Sequence, residues 1–436
     1  MRTTKDFLEQ EHRNLVAVLE ETLRFKYGID GSLEFFEECR SRLGFVAAEL
    51  ARTPNTDIDN LQRVGGLILE LSGLLSRIER SSVGEYSWPF VEELKRIAVA
   101  ICTEATLTKP DSPPMIHVLS DGGLDQYQIF TESNRPSSAG RRILTIVVPR
   151  TLKHFVLLHS ILGHEIGHAM WQCSTHQNAL KNIVNRHLFS SGTFANPAAT
   201  SSWLFSPNAP AAVKSQLAML NPYGINQTTF FNWAQWPAWI EEIICDLIGL
   251  LTFGPSFVAA EANLLYSMNP SGAGLGQRHP PVGCRINYLL TGVSLQSFDG
   301  EAFKDANVTG FINSFWSALK AKKQADPWFD VFTDAQLKAA TDEMSTLLAS
   351  LPPARYSSPT ETDLRHLLEQ LHATVPPTGF QIDGTGAMNC RPIDFRHTLY
   401  AGWVVGASSD PLAFERLNRL CQHGIMQQRA IDTMSS

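Results

Sequence analysis

The sequence has little charge and no excess of positive charge. Only 18% of its 436 residues are charged, and 43 acidic residues outnumber 36 basic ones, which gives a formal net charge of −7. Proteins that bind nucleic acids or anionic membranes rely on clustered lysine and arginine, so this balance argues against both classes. A hydrophobic fraction of 44% argues equally against a disordered chain.

Long apolar runs and a targeting segment are also missing. No run reaches the roughly 18 uninterrupted apolar residues that a membrane-spanning helix needs. The nearest candidate, 240–253, contains three acidic residues. The start of the chain alternates in charge and lacks the apolar centre of a signal peptide. We therefore expect a cytoplasmic protein without a membrane span.

The seven cysteines are odd in number and widely scattered, and no Cys-x-x-Cys pair occurs. This spacing supports neither a zinc ribbon nor a thioredoxin-type redox pair. Dispersed single cysteines are typical of buried, reduced thiols in a cytosol.

Residues 1–108 have the apolar spacing of amphipathic helices. Apolar side chains recur three or four residues apart in two stretches, 7–23 and 61–75. A further helix is expected after Ser87, because a proline and two glutamates follow it, as helix N-termini prefer. We predict an N-terminal bundle of about four helices.

The pattern changes after a cluster of prolines near residue 110. Turn-forming residues now separate three short strand-like runs, as hairpin-type connections require: 115–119, 127–131 and 143–148. Helices are expected next at about 151–173 and 237–253. The segment 174–235 between them is predicted to be an insertion with short helices that acts as a lid over a cleft. We therefore expect a core region over 109–295 and a C-terminal helical region over 296–436.

A His-Glu-x-x-His motif lies on the first of these two helices. Its spacing places His164 and His168 on one face, about one turn apart, where both imidazoles can bind one zinc ion. Glu165 can then reach a metal-bound water as general base. Between Phe155 and Leu180 Glu165 is the only formally charged residue, and a lone buried carboxylate needs a cation or a proton nearby. The alternative is a pair of core histidines with a paired glutamate.

A zinc peptidase needs a third protein ligand. The metzincin continuation requires glycine at position 171 and histidine at 174, but the chain has Trp171 and Ser174, which excludes that subclass. The other common solution is a glutamate on a second helix, with an acidic residue four positions later.

The helix expected at 237–253 offers this arrangement. Glu241, Glu242 and Asp246 are the only charges between residues 215 and 260. Glu242 and Asp246 share a helical face, which suits Glu242 as metal ligand and Asp246 as acceptor of a hydrogen bond from a ligand histidine. Glu241 points about 100° away, towards a structural partner or solvent. The alternative is a solvated acidic face, which does not explain the apolar flanking residues.

A third motif follows a glycine-rich segment. The three motifs are His164-Glu165-x-x-His168, Glu242-x-x-x-Asp246 and His279-Pro-x-x-x-x-Arg285-Ile. In type and order they resemble those of gluzincin zinc metallopeptidases related to the CAAX prenyl proteases and the HtpX-type heat-shock protease. The resemblance covers residues from about 160 to 290.

The resemblance implies one zinc ion per chain on three ligands: His164, His168 and Glu242. It also implies that Glu165 is the general base and that Asp246 lies behind the ligands. His279 and Arg285 are implied to lie near the cleft, where they stabilise the oxyanion or brace the ligand helices. The implied fold is α+β and predominantly α-helical, with a zincin-like core, a small sheet and active-site helices, flanked by helical N- and C-terminal regions.

We therefore predict a zinc metalloendopeptidase that hydrolyses a protein or peptide substrate by a zinc-activated water. Two alternatives stay open: a non-catalytic zincin-fold binding or regulatory module, and a zinc hydrolase of a non-peptide bond. No nucleic-acid partner is expected, and nothing in the sequence indicates the oligomeric state. The polar cluster Asp394, Arg396 and His397 is interpreted as a structural network rather than as part of the cleft.

Overall fold

A computed structural model describes most of the chain. The described residues are 3–23, 32–78, 87–103, 113–120, 127–131, 143–189, 206–207, 211, 214–215, 218, 236–268, 279–296, 303–323, 332–382, 385–386, 388–407 and 409–435. The predicted boundary near residue 108 lies outside them, as does nearly all of the predicted insertion beyond residue 189. The action of that insertion as a lid therefore stays a prediction.

The described residues form mainly helices. Up to residue 153 the elements are α1 (Thr4–Thr22), α2 (Ser32–Arg52), α3 (Ile58–Ile78), α4 (Trp88–Cys102), β1 (Met115–Ser120), β2 (Gln128–Thr131) and β3 (Ile143–Val148). The later helices are α5 (Leu162–Gln172), α6 (Ser174–Ile183), α7 (Trp236–Phe253), α8 (Pro255–Met268), α9 (Val282–Gln296), α10 (Ala306–Ala321), α11 (Asp334–Ala349), α12 (Glu361–His372), α13 (Phe395–Gly406) and α14 (Pro411–Ser435). Two short strands, β4 (Phe380–Ile382) and β5 (Met388–Cys390), pair antiparallel. The predicted α+β, mostly α-helical fold class is confirmed.

The larger sheet has β3 at its centre. β1 pairs with β3 in parallel, and β2 pairs with β3 antiparallel. All residues of β3 are buried, as expected of a strand with a neighbour on each side. The predicted hairpin-type arrangement fits β2 and β3, but it is wrong for β1 and β2, because these two strands flank β3 and do not pair with each other.

The chain folds into two compact units. The first comprises Met1–Val91 and Cys102–Lys153, and the second comprises Glu92–Ile101 and His154–Ser436. In the first unit, α1, α2 and α3 pack against one another around a core that includes Leu19. The predicted three-region division at about 108 and 295 stays a prediction.

In the second unit, α5 and α7 approach each other closely along a line of small residues. Gly163 and Gly167 on α5 face Gly249 and Cys245 on α7. A Cβ at Gly167 would lie 2.6 Å from the Cα of Cys245, and one at Gly163 would lie 3.0 Å from the Cα of Gly249. Only glycine permits such a short distance between the two backbones. We call these four residues the glycine seam.

α7 ends where the Gly-Pro pair predicts. Gly254 has a positive φ of 62°, and its N–H donates to the carbonyl of Leu250, as in a glycine-terminated helix. Arg396 donates from Nη1 to the carbonyl of Thr252 at 2.9 Å and forms an ion pair with Asp394. The cluster around residues 394–397 is therefore a structural network that holds the end of α7, as predicted.

The segment before α5 differs from the prediction. A continuous helix was expected from about residue 151, but α5 begins at Leu162 and short 3-10 turns precede it. Asn418 binds the backbone N–H of Leu157 and the carbonyl of His154, and the Trp403 indole donates to the carbonyl of Leu157. Because these side chains occupy backbone groups that a helix would use, the segment adopts turns instead.

None of the helices in the described ranges combines the length and the apolar character that crossing a bilayer requires. α7 is apolar along most of its 18 residues, yet it contains Glu241, Glu242 and Asp246. These three acids take part in the site that α7 forms with α5.

Candidate metal centre

Three predicted ligands meet beside the glycine seam. His164 and His168 each follow a seam glycine on α5, and Glu242 lies one turn before Cys245 on α7. The two Nε2 atoms are 3.1 Å apart, and the Glu242 carboxylate lies 3.1 Å from Nε2 of His164 and 3.5 Å from Nε2 of His168. One possible ligand atom from each residue lies within 4.8 Å of the other two. This group can hold a metal ion.

A separate carboxylate orients each imidazole. Nδ1 of His164 lies 2.8 Å from Oδ1 of Asp246, and Nδ1 of His168 lies 2.9 Å from Oε1 of Glu241. A carboxylate only accepts hydrogen bonds, so each Nδ1 is the donor. In a neutral imidazole this leaves Nε2 unprotonated and available to a metal.

A buried arginine stands behind the His164 side of the site. Arg285 donates to Asp246 from Nε at 2.8 Å and from Nη2 at 2.6 Å. Nη2 also donates to Oε1 of Glu261, on α8, at 2.8 Å. Arg285, Asp246 and Glu261 are at most 5% exposed. One hydrogen-bonded network thus joins α5, α7, α8 and α9.

Burial and charge shift the pKa values of these groups in different directions. Burial alone would raise the pKa of Asp246 and of Glu242, but Arg285 beside Asp246 and His164 beside Glu242 hold both below their usual range. Burial raises the pKa of Glu261 to about 7, because Arg285 offsets only part of the effect. Burial lowers the pKa of His164, but the hydrogen bonds with Asp246 and Glu242 outweigh it, and the pKa lies well above the usual value. The site therefore attracts positive charge.

The donor set fits a divalent cation. Both Nε2 atoms converge with the Glu242 carboxylate, whose Oε2 lies 3.1 Å from Nε2 of His164. Basic atoms that converge in a buried place require a cation or a proton between them. Imidazole nitrogens combined with a carboxylate oxygen are a ligand set that proteins use for such ions.

Two further predicted residues lie at or beside this group. Glu165 is half-buried in the first turn of α5, where the positive end of the helix dipole favours a carboxylate. His279 lies just before α9, and its side chain is 63% exposed. Its Nε2 is 3.5 Å from Oε1 of Glu242. The structure thus brings an exposed imidazole to the ligand group.

Sequence reasoning missed the roles of two acids. Glu241 was expected to point away from the metal face, yet it accepts the hydrogen bond of His168. Glu261 was not singled out, although it is the only charged residue between 247 and 277. The criterion of a lone acid in an apolar stretch would have found it.

Comparisons of this chain with known protein families, with curated proteins and with solved structures give no match. The class of site therefore rests on the residues themselves. Two oriented imidazoles and a buried carboxylate, placed by two closely packed helices, form a candidate metal centre.

Proposed function

We propose that this chain is a zinc-dependent metallopeptidase of the gluzincin type. The observation that carries the proposal is the convergence of His164, His168 and Glu242, with a carboxylate on the Nδ1 of each imidazole. A metal-binding helix pair of this kind, with Glu165 directly after the first histidine, has the residue types that peptide hydrolysis needs.

Zinc is the proposed metal because of the donor set. Catalytic zinc sites commonly use three protein ligands and leave a further position open, and two histidines with one glutamate are one such set. The carboxylates on the two Nδ1 atoms are typical partners of zinc-bound histidines, since they select the tautomer that presents Nε2. One ion per chain is expected.

When bound, zinc lowers the pKa of water and polarises the scissile carbonyl. Glu165 removes a proton from the attacking water and delivers it to the leaving amine as the C–N bond breaks. In this mechanism His279, whose Nε2 lies 3.5 Å from Glu242, donates a hydrogen bond to the developing oxyanion. Asp246 and Glu241 keep the two ligand histidines oriented.

The proposed substrate is a protein or peptide, and the proposed compartment is the cytoplasm. All seven cysteines are free thiols, six of them buried, which suits a reducing compartment. The net charge of −7 gives no reason to propose a nucleic-acid partner.

The test combines metal analysis with the variant Glu165→Gln. The purified protein is expected to contain one zinc per chain by elemental mass spectrometry. Glu165→Gln should keep its zinc and lose hydrolysis of a peptide library by a factor of about 10² or more, because the general base is gone. Glu415→Gln is the matched control, since Glu415 is an exposed acid on α14 that pairs with Arg419.

The possible outcomes distinguish the proposed peptidase from the two alternative functions. Wild type without zinc, or Glu165→Gln with full hydrolysis, contradicts the proposal. A zinc-loaded wild type that cleaves no peptide, but whose Glu165→Gln variant captures the same protein partners, favours a binding module. Hydrolysis of ester or amidase substrates alone favours a non-peptide hydrolase.

A further inference from the structure

A lone carboxylate on α8 has no part in the proposed reaction. Glu261 is the only charged residue of that helix, and it is 3% exposed. An ionised carboxylate in such a place is costly unless a cation compensates for it. The compensating cation is Arg285, whose Nη2 donates to Oε1 of Glu261 at 2.8 Å.

Arg285 connects Glu261 to the candidate metal centre. The same Nη2 donates to Oδ1 of Asp246 at 2.6 Å, and Nε donates to Oδ2 at 2.8 Å. Oδ1 of Asp246 also accepts from Nδ1 of His164 at 2.8 Å. A continuous chain of hydrogen bonds therefore runs from Glu261 through Arg285 and Asp246 to His164.

The arginine alone would weaken the link between Asp246 and His164. Its charge and the Nδ1–H of His164 compete for the same oxygen of Asp246. A second carboxylate on the guanidinium shares that positive charge, so Asp246 keeps more negative charge for the imidazole. It also holds the guanidinium from a second side.

The balance of buried charges also supports a link between Glu261 and the candidate metal centre. When ionised, Glu242, Asp246 and Glu261 carry three negative charges against the one positive charge of Arg285. These buried groups therefore have a surplus of negative charge, which attracts a cation. Without the charge on Glu261 the surplus is one, and the attraction for the cation falls.

We propose that Glu261 is a positioning residue for the metal centre, which acts through Arg285 and Asp246 to hold His164 in its metal-binding orientation. The inference rests on the proposed function only because it requires a metal on His164. It assigns Glu261 no contact with substrate. Its effect is therefore measured on the metal and not only on turnover.

The variant Glu261→Gln tests this role. The amide retains the size and one acceptor oxygen but loses the charge. The zinc affinity, measured by competition with a chromophoric chelator, is expected to fall about tenfold, at the lower end of the effect of partners behind metal ligands. In protein loaded with Co²⁺, the visible d–d absorption bands should shift, because the His164 orientation changes.

Glu38→Gln is the matched control. Glu38 is also a carboxylate with a 3% exposed side chain and an arginine partner, Arg42 at 2.8 Å, but it lies on α2 in the other unit. Its variant should leave the zinc affinity and the Co²⁺ spectrum unchanged. If Glu261→Gln lowers thermal stability but leaves both readouts at the wild-type value, Glu261 is only a structural brace and the proposal is overturned.

A second variant covers the case in which Glu261→Gln does not fold. Glu261→Asp keeps the charge but moves it away from Arg285, so a smaller loss of zinc affinity supports the proposal and an unchanged affinity overturns it. The failure of the proposed function gives a different pattern. Wild type that binds neither zinc nor Co²⁺ contradicts the metal centre itself, whereas a zinc-loaded wild type with insensitive Glu261 variants contradicts only this inference.

Discussion

The carboxylates behind the two histidines determine which nitrogen faces the metal position. Asp246 is 2% exposed and also binds Arg285, whereas the side chain of Glu241 is 23% exposed. Loss of the negative charge of Asp246 therefore disturbs a buried hydrogen-bond network. Loss of the negative charge of Glu241 has a smaller effect, because solvent partly compensates for it. The two partners are expected to differ in importance.

We predict that Asp246→Asn lowers zinc affinity more than Glu241→Gln does. The expected losses lie within about 10- to 100-fold, towards the upper end for Asp246 and the lower end for Glu241. Chelator competition measures both, with the exposed Glu415→Gln as control. Equal affinities in all three variants would contradict the assignment of these carboxylates as orienting partners.

At the scale of residues, the spacing along a helix predicted correctly which side chains lie on the same face. His164 and His168 share a face because they are four residues apart, and Glu242 and Asp246 do so for the same reason. The partner of Glu241 depends instead on how α7 crosses α5. Spacing within one helix cannot give that angle, so the contact between Glu241 and His168 was missed.

The glycine seam is what allows the two helices to place these residues. Gly167 has no room for a methyl group, because a Cβ there would lie 2.6 Å from the Cα of Cys245 on α7. Backbone atoms cannot rotate away as a flexible side chain can. A larger residue must therefore push the helices apart.

We predict that Gly167→Ala destabilises the protein by about 1–3 kcal/mol, as overpacked cores do, and weakens zinc binding as well. Gly310→Ala is the matched control, because Gly310 lies inside α10 with open space around its Cβ position. That change should raise stability by up to about 1 kcal/mol through helix propensity alone. Urea denaturation in the presence of a chelator gives both values. A Gly167→Ala variant as stable as wild type would show that the seam can relax.

At the scale of elements, prediction succeeded where local signals suffice. The Gly-Pro pair at 254–255 correctly marked the end of α7, and the three strands were found within a residue or two of their observed bounds. The turns before α5 were missed, since Asn418 and Trp403, which bind that backbone, lie over 240 residues away. The parallel pairing of β1 with β3 was missed, because the residue pattern within a strand does not indicate which other strand it pairs with.

For the whole molecule, the proposed zinc ion is expected to stabilise the second unit selectively. His164, Glu242 and Arg285 all belong to that unit. Zinc at about 1,000 times its dissociation constant should add about 4 kcal/mol to the unit that binds it. In hydrogen exchange, amides of α5, α7, α8 and α9 should gain protection with zinc, while those of α1, α2 and α3 should not. Equal gains in both units would contradict a metal effect confined to the second.

Composition alone predicted that the chain folds, and the spacing of apolar residues predicted that most of its elements are helices. The apolar fraction and the spacing of leucines require packed helices whatever their arrangement. The division into units could not be read in this way. It depends on contacts between distant segments, such as Arg429 with Glu93, which link residues 336 positions apart.

The network from His164 to Arg285 has a consequence for how the chain matures. Its members are spread over four helices and more than a hundred residues, so α5 emerging alone during synthesis offers two imidazoles and no acidic ligand. A metal ion at the candidate centre would be coordinated tightly only after α7 has docked, and its affinity would reach the final value only once α8 and α9 are in place. In the proposed metallopeptidase, metal capture would therefore coincide with completion of the tertiary structure, and a nascent chain would not acquire a hydrolytic centre before its surroundings exist.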